Sequence, residues 1–263
     1  GDLPARTGLG SSSSFTVGLL HTLYALQHIM PSKAQLAQAA IHVEQDVLGE
    51  AVGCQDQVLA AHGGLCKATF SQNGDIGHAP IIMRPEKLAA FQNHLQLYFT
   101  GFSRIASEVA REQIDRTKQR QSELSAMLQM VDEGVSILTG ERDLVEFGVM
   151  LHEAWMLKRR LTSRITTPAI DAIYAAAREA GALGGKLLGA GGGGFMLLFA
   201  RPEDHERIRL ALPGLLQVPF KFEGLGTQIV FYQEDQLMLD DVWAQSSAQT
   251  AARLKATLIG KAA

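Results

Sequence analysis

The stretch "GLGSSSS", Gly8 to Ser14, joins two glycines to four consecutive hydroxyls directly ahead of an apolar run with helical spacing. Gly8 and Gly10 allow the backbone to turn tightly and leave its N–H groups open. The serines then occupy a helix's first turn, where unpaired N–H groups and the positive dipole end together attract an anion. A serine hydroxyl there is also a hard oxygen ligand suited to Mg2+. A simple helix cap needs one such residue. Four serines with two glycines point to phosphate. No Gly-Lys-Ser/Thr follows and no lysine stands nearby in the sequence, so this is not a Walker A loop.

A second glycine-rich stretch, "GAGGGG" from Gly189 to Gly194, formally matches G-x-G-x-x-G. The dinucleotide fingerprint requires a helix after it, whereas the strand-like "FMLLFA" follows. Five glycines in six residues imply close backbone packing, with the phosphate loop as one candidate neighbour. Between the two stretches, "HVEQDVLGEAVGCQDQ" carries Glu44, Glu50 and Asp56. A carboxylate just after a glycine loop, as Asp56 is, can accept a proton from a substrate hydroxyl. Phosphoryl transfer needs such a group and a metal ligand beside it.

These residues must be held by elements that the periodicity outlines. Helices are expected at 12–28 and 33–48, with strands at 64–71 and 76–83 around a turn at Asn73-Gly74. A strand at 94–101 precedes one long or two consecutive helices over 105–139, with Gly134 as the weak point. Helices follow at 142–162 and 167–181, the latter capped by Thr167 and started by Pro168. "KLLGAGGGGFMLLFA" reads as strand, glycine bend, strand. A helix near 202–212, strands at 217–222 and 226–232, and a terminal helix over 235–258 complete the pattern. Helical runs mixed with antiparallel strand pairs predict α+β layering.

Composition narrows the functional classes. With 263 residues, 46% apolar and 19% charged, the chain can bury a substantial core. A net charge of −3 gives no electrostatic case for nucleic acid or an acidic membrane surface, and no apolar run is long enough to span a bilayer. Cys54 and Cys66 are too few for a disulfide scaffold and read as reduced thiols of a cytoplasmic protein. His21, His28 and His42 lack metal-site spacing, and Trp155 and Trp243 fit core packing.

Taken together, "PARTGLGSSSS", the Glu44-x11-Asp56-Gln57 pattern and "KLLGAGGGGF" resemble three ordered motifs of the GHMP kinases. The segments "GCQDQ", "YFTGFSRIASEV" and "EAWMLKRRLTSRITTPAIDAIY" are similar to the bacterial heptose 7-phosphate kinases within that family; fucokinases share part of the pattern. The resemblance implies an α+β, two-layer fold. Residues 1–83 would form the later part of the ATP-phosphate-binding N-terminal domain, and 84–263 a C-terminal domain of ferredoxin-like α/β-plait type. The family's first motif, an N-terminal sugar-contacting strand, has no counterpart in these residues, so the N-terminal domain is expected to be incomplete here.

The resemblance also implies roles. Backbone N–H groups of Gly8, Leu9, Gly10 and Ser11, with Ser12 and Ser13 in the same turn, would cradle the phosphates of ATP. Ser12 and Glu44 would hold Mg2+, and Asp56 would take or orient the proton of the acceptor hydroxyl, with Gln57 beside it. Gly189, Gly191 and Gly192 would support the phosphate loop. The acceptor implied is a small-molecule sugar phosphate, phosphorylated at its anomeric hydroxyl, in a protein that could form a homodimer. Its remote phosphate calls for a cation, and Arg104 or the run Lys158, Arg159, Arg160 and Arg164 could supply one. A fucokinase-like enzyme, a nucleotide-binding module without catalysis and a dinucleotide oxidoreductase stay open as alternatives.

Overall fold

The computed structural model describes residues 8–101 and 106–233. The expected terminal helix, with Trp243, lies outside them. The N-terminal third packs three helices, α1 (Ser11–Leu26), α2 (Lys33–His42) and α3 (Gln55–His62), around Val17, Leu20, Leu36, Ala40, Val58 and Ala61. Ser32 caps α2 with a capping box closed by Gln35. The helical path then widens into a single π turn, Val43–Val47, before the glycine-punctuated loop that leads to α3. A hairpin of β1 (Cys66–Phe70) and β2 (Ile76–Pro80) turns at Asn73-Gly74, where Gly74 takes φ +88°.

The remainder is built on a four-stranded antiparallel sheet in the order β4-β5-β3-β6: β3 (Leu95–Phe99), β4 (Gly184–Leu187), β5 (Phe195–Phe199) and β6 (Leu216–Gln217). With helices between β3 and β4 and between β5 and β6, this is the ferredoxin-like plait order expected. Side chains alternate across the strands. Tyr98, Leu187, Met196 and Leu198 face a core shared with α8 (Pro168–Glu179) and α9 (His205–Ala211). Phe199 points the other way, to Phe91 of α4 (Pro85–Asn93), Leu138 of α6 (Gln121–Thr139) and Leu144 of α7 (Leu144–Arg159).

Helix α7 approaches β4 at two glycines. A Cβ on Gly184 would lie 2.0 Å from the Gly148 carbonyl oxygen, so only hydrogen fits. Gly184→Ala is expected to destabilise the fold by about 1–3 kcal/mol, the range for overpacked sites, and a lowered urea midpoint with unchanged m-value would register it.

Two expectations need correction. The helical run after β3 breaks over residues 117–120, between α5 (Ala106–Arg116) and α6, and not at Gly134. There Thr117 turns its hydroxyl back to the Gln113 carbonyl, while Gly134 lies buried inside α6 under Met150 and Phe147. Residues 226–232 form no strand, and only Leu216–Gln217 pairs in the region expected to be two. Past Val218, whose N–H still bonds the Leu97 carbonyl of β3, helix residues supply partners. Gln92 bonds the Phe220 carbonyl and the Phe222 N–H, and Thr227 N–H reaches the Ala60 carbonyl.

Candidate active site

The N-terminus of α1 is open. Gly10 occupies the cap position in left-handed conformation, φ +66°, with no side chain to bond the first-turn N–H groups. The first intrahelical bond runs from Ser14 N–H to the Gly10 carbonyl, and the first turn carries no acidic residue. The N–H groups of Ser11, Ser12 and Ser13 therefore head a helix end that favours an anion.

Behind that end lies Glu44, carried by the π turn and 2% exposed. Its Oε1 accepts from Thr16 Oγ1 at 3.1 Å and Ser12 Oγ at 3.3 Å. Its Oε2 accepts from Ser13 Oγ at 2.9 Å and from the Gln57 amide. Four donors hold one buried carboxylate, which is how a charge is kept in a core. Ser13 thus spends its hydroxyl on Glu44 and offers a ligand only its backbone. Gln57, fully buried, likewise acts on Glu44 and not directly on an acceptor. Thr16 is the member of this cluster that the motif reading missed; its spacing of four from Ser12 was the available signal.

Asp56 sits in the first turn of α3, half-buried, and faces the loop. A Cβ placed on Gly10 would meet the Cβ, Cγ and Oδ2 of Asp56 at 3.4 Å. Burial raises the Asp56 pKa above the ordinary carboxylate value; the Gln55 side chain opposes this through a hydrogen bond, and the Glu44 charge adds to it. Glu50 is exposed and takes no part. Next to this loop, Val52 and Gly53 border a cleft of about 270 Å3 whose other wall carries Gln113, Thr117, Arg120 and Leu161.

The second glycine stretch stands directly behind the first. A Cβ on Gly8 would lie 2.8 Å from the Leu188 carbonyl oxygen, and one on Gly189 would lie 2.7 Å from Gly8 Cα. Gly191 presses on Ile165, and Gly192 N–H bonds the Ile165 carbonyl at 2.9 Å. The expected apposition of the two loops is thus present. Of the basic run, Arg159 pairs with Asp171 at 2.7 Å and Arg164 with Glu112 at 3.0 Å, whereas Lys158 turns inward to the glycine loop. Arg104 lies outside the described residues.

Whether magnesium suits these residues is a question of donors. Among the described residues no group of three or more His, Cys, Asp or Glu side chains could hold a metal. Magnesium bound to a nucleotide needs fewer, taking one or two protein oxygens and filling its octahedron with phosphate and water. Neighbouring ligands of such an ion are about 2.9 Å apart, close to the 3.3 Å between Ser12 Oγ and Glu44 Oε1. The donor set fits.

An open helix end backed by a glycine loop, with the Glu44 and Asp56 carboxylates carried by neighbouring elements, is a site suited to an anion in an α+β protein. Two models of one family match the sequence, GHMP kinases N terminal domain over residues 1–64 and GHMP kinases C terminal over residues 136–216. Together they take in more than half of the chain, and the chain belongs to the GHMP kinase family. It is 27% identical over 213 residues to D-glycero-alpha-D-manno-heptose 7-phosphate kinase of Campylobacter jejuni, covering 80% of this chain and 62% of that protein. It is also 27% identical to the bifunctional fucokinase/GDP-fucose pyrophosphorylase of Arabidopsis thaliana, over 78% of this chain and 20% of that protein. Its structure resembles a D-glycero-D-manno-heptose 1-phosphate kinase from Bacteriodes thetaiotaomicron, with TM-score 0.65 and 26% identity over 88% of this chain and 66% of that one. The chain thus spans under two thirds of the length of these relatives.

Proposed function

We propose that the protein to which this chain belongs is an ATP-dependent sugar kinase, transferring the γ-phosphoryl group to the anomeric hydroxyl of D-glycero-D-manno-heptose 7-phosphate. The observation that carries this reading is the seat of Asp56: its carboxylate lies against Gly10, at the lip of the open helix end. A base and an anion site are therefore adjacent, as phosphoryl transfer requires.

In this mechanism the N–H groups from Gly8 to Ser13 bind the donor's phosphates, and the dipole of α1 favours their charge. Ser12 and Glu44 would hold magnesium, which neutralises phosphate charge when bound. Thr16, Ser13 and Gln57 keep Glu44 in place. The acceptor enters by the cleft beside Gly53, and Asp56 takes the proton of its hydroxyl. The acceptor oxygen forms a bond to the γ-phosphorus as the bond to the β–γ bridging oxygen breaks, releasing ADP. Residues 8–83 supply the donor side, and the glycine loop at 189–194 the buttress behind it. Dependence on ATP accords with a cytoplasmic setting. No helix among the described residues is long and apolar enough to cross a membrane.

The fucokinase relative supports a second acceptor, a sugar without phosphate. A binding module without catalysis would have no use for Asp56, and the strand after Gly194 speaks against a dinucleotide fold. The full-length protein, assayed with Mg·ATP on heptose 7-phosphate, fucose and mevalonate, is expected to convert the first, with a new anomeric phosphate signal in the phosphorus NMR spectrum. Conversion of fucose or mevalonate alone would overturn the heptose assignment, and no conversion of any alcohol would overturn the kinase reading.

A further inference from the structure

The phosphate loop has no lysine of its own, yet the fold brings one to its back. Lys158, in the last turn of α7, donates from Nζ to the Gly189 carbonyl at 2.7 Å and to the Leu187 carbonyl at 3.4 Å. Gly189 is the residue that abuts Gly8. The ammonium is therefore separated from the loop by a single peptide layer. Among the described residues no opposite charge compensates it. Lys186 on β4 is the charged side chain that acts on it; Arg159 is taken by Asp171 of α8, and His152 bonds the Tyr174 hydroxyl of the same helix. Among the described residues no carboxylate pairs with Lys158.

We propose that Lys158 is the cation of the phosphate-binding site, supplied through the glycine loop from α7, and that its partner anion is the polyphosphate of the bound nucleotide. The residue has two effects. It draws the Leu187 and Gly189 carbonyl oxygens toward itself, fixing the loop that buttresses Gly8. It also places a positive charge in a desolvated region, where it acts on a nearby anion more strongly than in water. Burial, with Lys186 adding to it, pushes the Lys158 pKa down to about 7, so the charge is incomplete at neutral pH until an anion arrives. Binding of a polyanion then raises that pKa and takes up a proton. Lys158 is a positioning residue in this account, since the glycine loop stands between it and the ligand. The proposal rests on the donor-site reading above.

The test measures Mg·ADP affinity by titration calorimetry on the full chain between pH 6 and pH 9. The proteins are the unsubstituted chain, Lys158→Met and Lys158→Arg. The unsubstituted chain is expected to bind less tightly as pH rises above about 7, by up to about tenfold per unit, with proton uptake. Lys158→Met is expected to lose about tenfold or more at the acid end, the loss of one charge-assisted interaction, and to show no such pH slope. Lys158→Arg, which stays protonated, is expected to hold the acid-end affinity up to pH 9. Comparison of the slopes removes the nucleotide's own ionisation. Equal affinity of Lys158→Met and the unsubstituted chain at the acid end, or equal slopes, would overturn the assignment. If the unsubstituted chain binds no Mg·ADP, the donor-site reading itself fails, and this assignment with it.

Discussion

Asp56→Asn is expected to lower kcat about 10³-fold, within the span that general-base removal produces, while Mg·ATP affinity stays unchanged. Asparagine keeps the shape and the neutral hydrogen-bonding capacity of the side chain but cannot take a proton. The donor site, formed by backbone groups of α1, is untouched by the exchange. Stability should hold or rise. Burial raises the Asp56 pKa above its unfolded value, so the ionised carboxylate costs stability above the unfolded pKa, fully once pH exceeds the folded one. Asparagine removes that cost at neutral pH. The same shift predicts an acid limb in kcat/KM at a higher pH than an ordinary carboxylate gives, absent in the variant. Turnover of Asp56→Asn near that of the unsubstituted enzyme would remove the base assignment, and lost nucleotide affinity would make Asp56 part of the donor site.

The second large effect is expected from Gly189→Ala. Its φ of +67° already disfavours any side chain, and the added Cβ would stand 2.7 Å from Gly8 Cα, backbone against backbone. Left-handed strain of about 1–2 kcal/mol and overpacking of about 1–3 kcal/mol then combine at a contact that backs the Gly8 loop. Nucleotide affinity should fall about 100-fold, and the melting temperature with it. Gly214→Ala is the control. Gly214 has φ +83° with nothing within 4 Å of its Cβ position, so it isolates backbone strain from collision. It should lower stability by about 1 kcal/mol and leave nucleotide binding intact. Similar binding losses in both variants would show that the loop apposition does not matter. A pronounced loss in Gly189→Ala alone ties phosphate binding to the buttress behind it.

Much of this molecule is written locally. Gly10 before four serines, Ser32 with Gln35, Asn73-Gly74 and Thr167-Pro168 each dictate backbone geometry through their own side chains, or the lack of one, and the structure has the helix starts and the turn where those residues stand. The strand, bend, strand reading of 186–200 held for the same reason: five glycines cannot continue a strand, and the apolar runs beside them must be buried. What depended on distant neighbours was not legible. Gly134 looks like a weak point until Met150 and Phe147 are seen against it, and residues 226–232 look like a strand until Thr227 N–H is seen to take the Ala60 carbonyl of α3. Glu44 could be picked out as a metal ligand by pattern, but its four donors come from two helices and had to be assembled by folding. Lys158 shows the limit most plainly. In sequence it belongs to a basic run 31 residues before Gly189, and that run reads as a cation source for the acceptor's remote phosphate. Only the packing of α7 along β4, which two facing glycines permit, turns its side chain inward to the loop. Periodicity and capping act over one or two turns of chain, whereas burial, charge compensation and the partners of a buried amine are properties of the packed whole.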